Sequence, residues 1–363
     1  MIYLDQAATS FPKLEEVKQA VVSALDVAGN ANRSSNMDAS RLIFEARRNV
    51  AKFFGLSDFH RVILNGGNTE SLNTCIKGIL KENDYVITTY AEHNSVLRPL
   101  YELEEKGIIS LTVCSPYLED IKNQIQDNTR MVIMTHSSNV TGEIFDVDLI
   151  GKYCHKLGIL FMVDAAQSAG HIPVSMENID VLCFSGHKGL LGIGGIGGFC
   201  LKDIELKPLI SGGTGIDSFN LHMPEAYPEH LEAGTQNLVG IAALNAGIKY
   251  VLENQKAIME KEYFLLQKLY EGLTGYVEFY SSLDNSTPIV AINIPGKDSA
   301  YVSDVLNYKY GIVTRCGAHC APLMHKHLKT EERGIVRLSL SFQNALEEID
   351  FVIRAIREIS NDY

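Results

Sequence analysis

The chain of 363 residues lacks any run of apolar residues long enough to span a membrane. Its first residues, Met1 to Asp5, also lack a basic region followed by an apolar stretch, so we expect neither a membrane anchor nor a secretory leader. Positive charge is not in excess either, because 32 lysines and arginines stand against 44 aspartates and glutamates, a formal net charge of −12. This negative net charge disfavours a nucleic-acid partner. No acidic block concentrates the charge, so it is typical of a soluble protein rather than of an acidic tail.

The cysteines are odd in number and scattered through the chain. This pattern is typical of reduced thiols in a cytoplasm rather than of a disulfide framework, and it leaves at least one thiol free for chemistry. The seven are Cys75, Cys114, Cys154, Cys183, Cys200, Cys316 and Cys320. Together with the missing leader, they predict a cytoplasmic protein.

Between about residues 40 and 250, helical patterns alternate with short apolar runs. These runs are rich in β-branched and aromatic residues, as the buried strands of a parallel sheet are. They are Arg61 to Leu64, Asp84 to Thr89, Arg130 to Met134, Ile159 to Val163 and Val181 to Phe184. The alternation predicts an α/β fold with a mostly parallel central sheet covered by helices.

A cluster of polar residues follows each predicted strand. The clusters begin at Gly66, Ala91, Ser137, Asp164 and Ser185. In an open α/β sheet ligands bind beyond the carboxyl ends of the strands, so these clusters predict one shared site.

The C-terminal part has a different character. One helical pattern begins near Asn237 and a second reaches about Leu273; short strands, a loop at 315–320 and a closing helix from about Ala345 follow. We predict a large domain over residues 15–255 and a smaller α+β domain over 256–363, with residues 1–14 packing nearby.

Lys188 lies at a strand end, directly before a run of glycines. An amine placed there can form a Schiff base, although a surface lysine beside a glycine turn would have the same pattern. Gly192, Gly194 and Gly197 also match the spacing of a dinucleotide-binding fingerprint. That match is weak, because residues 198–201 look like a strand, whereas the fingerprint must open a helix.

Three other strand ends carry candidate residues. Asp164 is either a helix N-cap or the partner of a buried cation. The turn from Gly66 to Glu70 precedes a helix predicted to begin near Ser71, and its N–H groups with the Thr69 hydroxyl would bind an anion or simply cap the helix. His93 would stack on a planar ring and assist proton transfer, or be an ordinary loop residue.

Seven segments occur in the order and spacing of a known family. They are residues 3–10 (YLDQAATS), 66–70 (GGNTE), 92–95 (EHNS), 138–142 (SNVTG), 164–167 (DAAQ), 185–188 (SGHK) and 232–237 (EAGTQN). Over nearly the whole chain they resemble the class V aminotransferase superfamily and, within it, the cysteine desulfurase and selenocysteine lyase branch. The resemblance implies the type I fold of enzymes that depend on pyridoxal 5′-phosphate (PLP), and a homodimer with the site between its subunits.

The resemblance also implies residue roles. Lys188 would hold PLP covalently, His93 would stack on its ring and Asp164 would bind the pyridine nitrogen. Further contacts to PLP would come from Asn68, Thr69, Asn139, Gln167, Ser185, His187 and the partner subunit's Thr235. Arg337 and Asn139 would receive the substrate carboxylate, and Arg33 and His319 would complete the substrate site.

The loop from Arg315 to Cys320 resembles the family segment whose cysteine attacks the substrate sulfur. Arg315 and His319 would favour the reactive thiolate. A metal site is the alternative, since His319, Cys320, His325 and His327 lie close together, but no second ligand pair with finger-like spacing accompanies them. Asn36, Ala318 and Gln236 depart from the family's common residues.

The function implied is PLP-dependent removal of sulfur from L-cysteine, or of selenium from L-selenocysteine, leaving alanine. Sulfur would pass as a persulfide on Cys320 to an acceptor protein or small thiol. The alternatives are a selenocysteine lyase, another class V lyase or aminotransferase in which Cys320 is not catalytic, a nicotinamide oxidoreductase, and a catalytically silent partner protein.

Overall fold

The computed structural model describes residues 1–29 and 37–362, so Arg33 and Asn36 lie outside the described residues. The strands, in chain order, are β1 (Ile2–Tyr3), β2 (Val62–Asn65), β3 (Asp84–Thr89), β4 (Ile109–Cys114), β5 (Thr129–Thr135), β6 (Leu160–Asp164), β7 (Val181–Ser185), β8 (Gly197–Leu201), β9 (Glu278–Phe279), β10 (Ile289–Asn293), β11 (Ile312–Val313), β12 (Arg315–Gly317) and β13 (Ile335–Ser339). The α-helices are α1 (Glu15–Leu25), α2 (Asp38–Phe54), α3 (Asn68–Ile79), α4 (Asn94–Glu105), α5 (Leu118–Gln124), α6 (Val147–Lys156), α7 (Leu238–Leu273), α8 (Ser299–Tyr310), α9 (Pro322–Leu328) and α10 (Leu346–Asn361).

The largest sheet has seven strands in the order β2-β8-β7-β6-β5-β3-β4. Neighbours are parallel except at β8, which runs antiparallel to both β2 and β7. The predicted mostly parallel sheet and its five strands are therefore confirmed. Strand β4 was not predicted, because it lies at the sheet edge, where its residues are mostly only partly buried and form no continuous apolar run.

Helices cover both faces of this sheet. Successive residues of a strand point to opposite faces, so Ile63 and Val86 pack in one core with α3 and α4, while Leu64 and Ile87 pack in another with α2, α6 and α7. Each such buried side chain contributes roughly 1.5–3 kcal/mol relative to exposure. The two cores hold the carboxyl ends of the strands in fixed positions.

The glycine run after Lys188 does not open a helix. It leads into β8, which confirms that the fingerprint match is not a dinucleotide site. Gly189 is required by close packing, since a Cβ there would lie 2.3 Å from the backbone oxygen of Ala169. The segment after Lys188 is thus packed backbone to backbone against the loop that follows β6.

Helix α7 spans 36 residues where two helices were predicted, and that prediction was wrong. Residues 252–257 are partly or fully exposed because here the helix leaves the core of the large sheet and enters a second core with α8 and α10. The polar stretch resembled a break, but it contains no proline or glycine. The domain boundary predicted at residues 255/256 falls inside α7 and stays a prediction.

The second core covers a smaller antiparallel sheet of order β12-β13-β10-β9. Strand β1 pairs in parallel with β11, which brings the first residues of the chain to this region. Among the described residues, no helix is both long and apolar enough to cross a membrane.

Candidate active site

A cavity of about 390 Å³ lies beyond the carboxyl ends of the parallel strands. Its lining contains most of the residues predicted for the site, namely Asn68, Thr69, His93, Asn139, Asp164, Gln167, Ser185, His187 and Lys188. The structure thus brings together residues from five separate chain segments. Arg337, His319, Cys320 and Thr235 do not line this cavity.

Lys188 and Asp164 supply the opposite charges of the cavity. Asp164 ends β6, and its Oδ1 accepts hydrogen bonds of 2.9 Å from the Ala166 N–H and from Nδ2 of Asn68. Burial raises the pKa of Asp164 above its ordinary value, although those donors and Lys188 oppose the shift. Burial lowers the pKa of Lys188 to about 8, so an appreciable share of its amine is uncharged near neutral pH.

His93 is held with one nitrogen facing the protein. It precedes α4, and its Nδ1 accepts the Ser95 N–H at 3.0 Å, which leaves the proton on Nε2. Burial, and then the charges of Lys188 and Arg315, lower the pKa of His93 to about 4. The ring is therefore neutral at neutral pH and suited to lie against a flat aromatic ligand.

The helix after the Gly-Gly turn begins earlier than predicted, at Asn68 rather than near Ser71. Gly67 is its N-cap and has no side-chain cap bond, so Thr69 lies in the first turn and is not the cap. The Thr69 hydroxyl lies 2.9 Å from that of Ser95. The N–H groups and positive dipole end of this helix favour an anion here.

Three other residues predicted to contact PLP also lie in the cavity lining: Ser185, His187 and Gln167. Ser185 ends β7, and the backbone oxygen of His187 accepts the Ser10 N–H at 2.8 Å. Burial lowers the pKa of His187 to about 4, so its ring is neutral at neutral pH. Nε2 of Gln167 donates to the backbone oxygen of Ala7 at 3.0 Å, which leaves its second N–H for another acceptor.

Sequence reasoning missed the carboxyl group of Glu92, which is 0% exposed. Its Oε1 accepts the Thr89 hydroxyl at 2.6 Å and the Thr135 N–H at 3.0 Å. Burial raises the pKa of Glu92 to about 8, so it is mostly protonated at neutral pH. It joins the ends of β3 and β5, a role that only the fold reveals.

The cysteine loop begins in β12 and ends at α9. Cys320 is exposed, and Nη2 of Arg315 lies 4.0 Å from its sulfur. The predicted help from His319 is not electrostatic, because burial lowers the pKa of that ring to about 3 and it carries no charge at neutral pH. Cys316 alternates with Arg315 along β12 and pairs with the fully buried Val336, so it faces away from Cys320.

Asn139 connects the cavity to this loop. Its Nδ2 donates to the backbone oxygen of His319 at 2.7 Å, and its own backbone oxygen accepts Nη1 of Arg337 at 2.8 Å. The other end of the Arg337 fork donates to Oδ1 of Asp5 at 2.8 Å. Arg337 is 1% exposed, so its guanidinium is a buried group that is bonded to Asp5 in this structure.

Thr235 lines a neighbouring cavity of about 190 Å³ that shares Gly66, Glu70 and Gly195 with the main one. Its segment is anchored by a buried ion pair between Arg47 and Glu232. Thr235 therefore stands at the edge of its own chain's site.

The four residues of the alternative metal site are not arranged as ligands. The His327 ring stacks on Tyr90, with centroids 4.1 Å apart. Within residues 1–29 and 37–362, no group of three or more histidine, cysteine or acidic side chains could hold a metal ion.

The cavity fits PLP. Oδ1 of Asn68 and of Asn139 are buried and have no hydrogen-bond partner among the described residues. A Cβ on Gly67 would meet nothing within 4 Å, which leaves room for a group against the N-terminus of α3. An anion site, an amine, a carboxylate and a neutral imidazole are thus placed around one space, as a PLP site requires.

Comparisons with known proteins agree with this geometry. The family model described as Aminotransferase class-V matches residues 2–352. A probable cysteine desulfurase of Methanothermobacter thermautotrophicus is 32% identical over 99% of this chain and 94% of its own length. The apo structure of a cysteine desulfurase from Thermococcus onnurineus NA1 aligns with a TM-score of 0.91 at 31% identity, covering 99% of this chain and 94% of that one. The cysteine desulfurase CsdA (S-sulfonic acid) of Escherichia coli aligns with a TM-score of 0.86 at 26% identity, covering 98% and 94%.

Proposed function

Because the chain belongs to the class V aminotransferase family, we propose that it is a PLP-dependent cysteine desulfurase that converts L-cysteine to L-alanine. One observation carries the proposal. The exposed thiol of Cys320 lies on a loop whose backbone is bonded to Asn139, a residue that also lines the cavity of Lys188 and Asp164. A thiol tied to such a cavity is the arrangement that sulfur transfer needs.

PLP, when bound, supplies an electron sink for the charge left on the substrate's Cα. Lys188 is the residue that would hold it covalently, and Asp164 would hold its pyridine nitrogen. His93 would lie against the ring, and Gln167 would donate its remaining N–H to the ring oxygen. Thr69, Ser185 and His187 would bind the phosphate at the N-terminus of α3, while Asn68 acts through Asp164, to which it is bonded.

The protein's own groups carry the remaining steps. Once the substrate amine displaces it from that covalent bond, Lys188, with a pKa of about 8 as the free amine, would be a base of suitable strength to take the Cα proton. The Cys320 thiolate would attack the substrate sulfur, so that an S–S bond forms as the C–S bond breaks. The bonding electrons stay with the carbon part, which takes one proton at Cβ, regains the Cα proton from Lys188 and leaves as alanine. The persulfide would then pass to an acceptor protein or a small thiol.

Substrate recognition rests on the buried end of the site. Arg337 would receive the substrate carboxylate, with Asn139 beside it. It would do so either by giving up its hydrogen bond to Asp5 or by donating from Nε, which has no partner among the described residues. Arg33 and His319 would complete this end.

We further propose a homodimer in which the partner subunit's Thr235 reaches the phosphate. The cytoplasmic location stays a prediction.

The test is an assay of alanine and sulfide formed from L-cysteine, with PLP and a reducing thiol present. Cys320→Ala should lower both products about a hundredfold or more, because no thiol remains to accept the sulfur. Cys316→Ala, which faces the other side of β12, is the matched control and should stay within about twofold of wild type. Mass spectrometry should find the persulfide on Cys320.

Wild-type rates in Cys320→Ala would refute the persulfide step. If wild type turns over L-selenocysteine but not L-cysteine, and Cys320→Ala keeps that rate, the protein acts instead as a selenocysteine lyase. Alanine formed without any persulfide on Cys320 would favour another class V lyase.

A further inference from the structure

Two buried histidines lie behind the cysteine loop. His319 is 3% exposed and His325 is 1% exposed, and neither lines the cavity. Their ring planes are within 12° of each other, their centroids are 5.7 Å apart, and Nδ1 of His319 faces Nε2 of His325 at 3.5 Å. Nearly coplanar rings with their nitrogens between the centroids meet edge to edge, which is the geometry of a long N–H···N bond rather than of a face-to-face stack.

The neighbours of the pair decide where its protons are. Nε2 of His319 lies 3.3 Å from the backbone oxygen of Arg315, which can only accept, so this nitrogen carries the proton and Nδ1 accepts. Nε2 of His325 must then donate, and its Nδ1 accepts the hydroxyl of Thr330 at 2.9 Å. Burial lowers the pKa of both rings, so both are neutral and this set of protons is fixed.

The loop that the pair supports has an unfavourable backbone. His319 has φ +49° and Cys320 has φ +57°, a left-handed conformation that side chains other than glycine adopt at a cost. Such residues persist only when their surroundings hold them. The backbone oxygen of Cys320 accepts the Asn94 N–H at 2.7 Å, and the His319 ring ties the loop back to Arg315. Across the same loop, Nη2 of Arg315 lies 4.0 Å from the Cys320 sulfur.

We propose that His325 is a positioning residue for sulfur transfer: ordered by Thr330, it donates a hydrogen bond to His319 and so holds Cys320 beside Arg315. The role presupposes that Cys320 is the nucleophile proposed above. The contacts that define it need neither substrate nor PLP.

His327 provides a matched control on the same helix. It is exposed and its ring stacks on Tyr90 with planes 11° apart, whereas the bonds of His319 described above go to Arg315 and His325. His327→Gln therefore changes α9 without changing the chain of bonds from Thr330 to Arg315.

The first measurement is the rate at which iodoacetamide alkylates Cys320 in the full-length protein without PLP or L-cysteine, read by mass spectrometry of the Cys320 peptide. His325→Leu should slow alkylation about tenfold at pH 7, because the thiol is no longer held beside the guanidinium. Thr330→Val should slow it about threefold, since His325 then loses the bond that orders it. His325→Gln can both donate and accept, and should stay within about twofold of wild type, as should His327→Gln.

The second measurement is turnover of L-cysteine with PLP bound. His325→Leu should lower kcat about tenfold and leave KM within about twofold, because His325 is bonded to His319 and Thr330 and not to Arg337, which would receive the substrate carboxylate. Unchanged alkylation in both His325→Leu and Thr330→Val overturns the proposal. Equal slowing of Cys320 alkylation in His325→Leu, His325→Gln and His327→Gln also overturns it, because this would indicate a general loosening of α9. If His325→Leu does not fold, Thr330→Val decides. Should sulfide production prove independent of Cys320, the proposed function fails, while the alkylation rates still report on the loop.

Discussion

The cavity and the cysteine loop hold their reactive groups by opposite means. In the cavity, Asp164 and Ser185 are the last residues of hydrogen-bonded strands, and Lys188 follows within three positions. In the loop, Cys320 has a left-handed backbone and depends on side chains from distant elements. The difference suits the proposed chemistry, because a cofactor must be fixed whereas the thiol must stay exposed to pass sulfur onward.

Removing Lys188 should break the cavity alone and have the largest effect. Lys188→Ala is expected to lower alanine formation about a thousandfold or more, since this lysine is both the proposed covalent anchor and the proposed base. Borohydride reduction followed by mass spectrometry should no longer attach PLP to this peptide. Alkylation of Cys320 should keep the wild-type rate; a matching loss there would show that the two regions are not separate.

The sequence predicted the cavity far better than the support of the loop. Asp164, Ser185 and Lys188 each follow a recognisable strand, and parallel strands bring such ends together whatever their spacing in the chain. The bond between Asp5 and Arg337 joins residues 332 positions apart and leaves no local pattern. The burial of Glu92 and His325 could not be predicted from the sequence either, because the identity of a charged or imidazole side chain does not tell whether it faces water.

The predicted break in α7 and the missed strand β4 have a related cause. The polar stretch in the middle of α7 resembled a break, although it marks only the passage from one core to another. Edge strand β4 was missed because a half-buried strand has no continuous apolar run. Sequence patterns report local burial, and both misreadings occurred where burial changes along an element.

Asn139 belongs to both regions, so its loss should impair both. Asn139→Ala is expected to lower turnover about 10- to 100-fold, because it removes the bond to His319 and the cavity-facing Oδ1 together. PLP affinity, measured by titration of the apoprotein, should fall, and alkylation of Cys320 should slow. Asn128→Ala in an exposed turn is the control. A change confined to one measurement would show that Asn139 serves one region only.

The lowered pKa of Lys188 predicts a pH effect confined to the cavity. An amine is nucleophilic only when uncharged, so covalent uptake of PLP by the apoprotein should rise about tenfold per pH unit up to pH 8 and level off above it. Stopped-flow absorbance would follow the uptake. A rise that continues to pH 10 would mean that burial does not lower the pKa of this lysine.

Glu92 should give the smallest effect on turnover and a clear one on stability. Its pKa is raised from 4.5 to about 8 in the folded protein, so the folded state binds the extra proton between those values and stability falls as pH rises through them. Glu92→Gln keeps the acceptor for Thr89 and Thr135 but cannot ionise. It should remove a slope of up to about 1.4 kcal/mol per pH unit in that window, while turnover at pH 7 changes less than about twofold.

Urea unfolding of apoprotein at pH 5, 6, 7 and 8 would measure that slope. Glu92→Leu, which leaves both donors without an acceptor, should destabilise the protein by about 1–3 kcal/mol relative to Gln at every pH. Parallel curves for wild type and Glu92→Gln would show that this carboxyl is ionised in the folded protein.

Strand β8, which runs antiparallel to its neighbours in the large sheet, also sets an order of events during synthesis. Edge strand β2 pairs only with β8 in the described sheet, and the partners Val62 and Cys200 are 200 − 62 = 138 residues apart. On the ribosome, β2 cannot pair with the sheet until residue 201 has emerged, whereas β3 to β7 can already associate. Strand β2 is therefore added last to a largely assembled sheet, and a nascent chain stalled before β8 would have the strand of Asp164 in place but β2 unpaired.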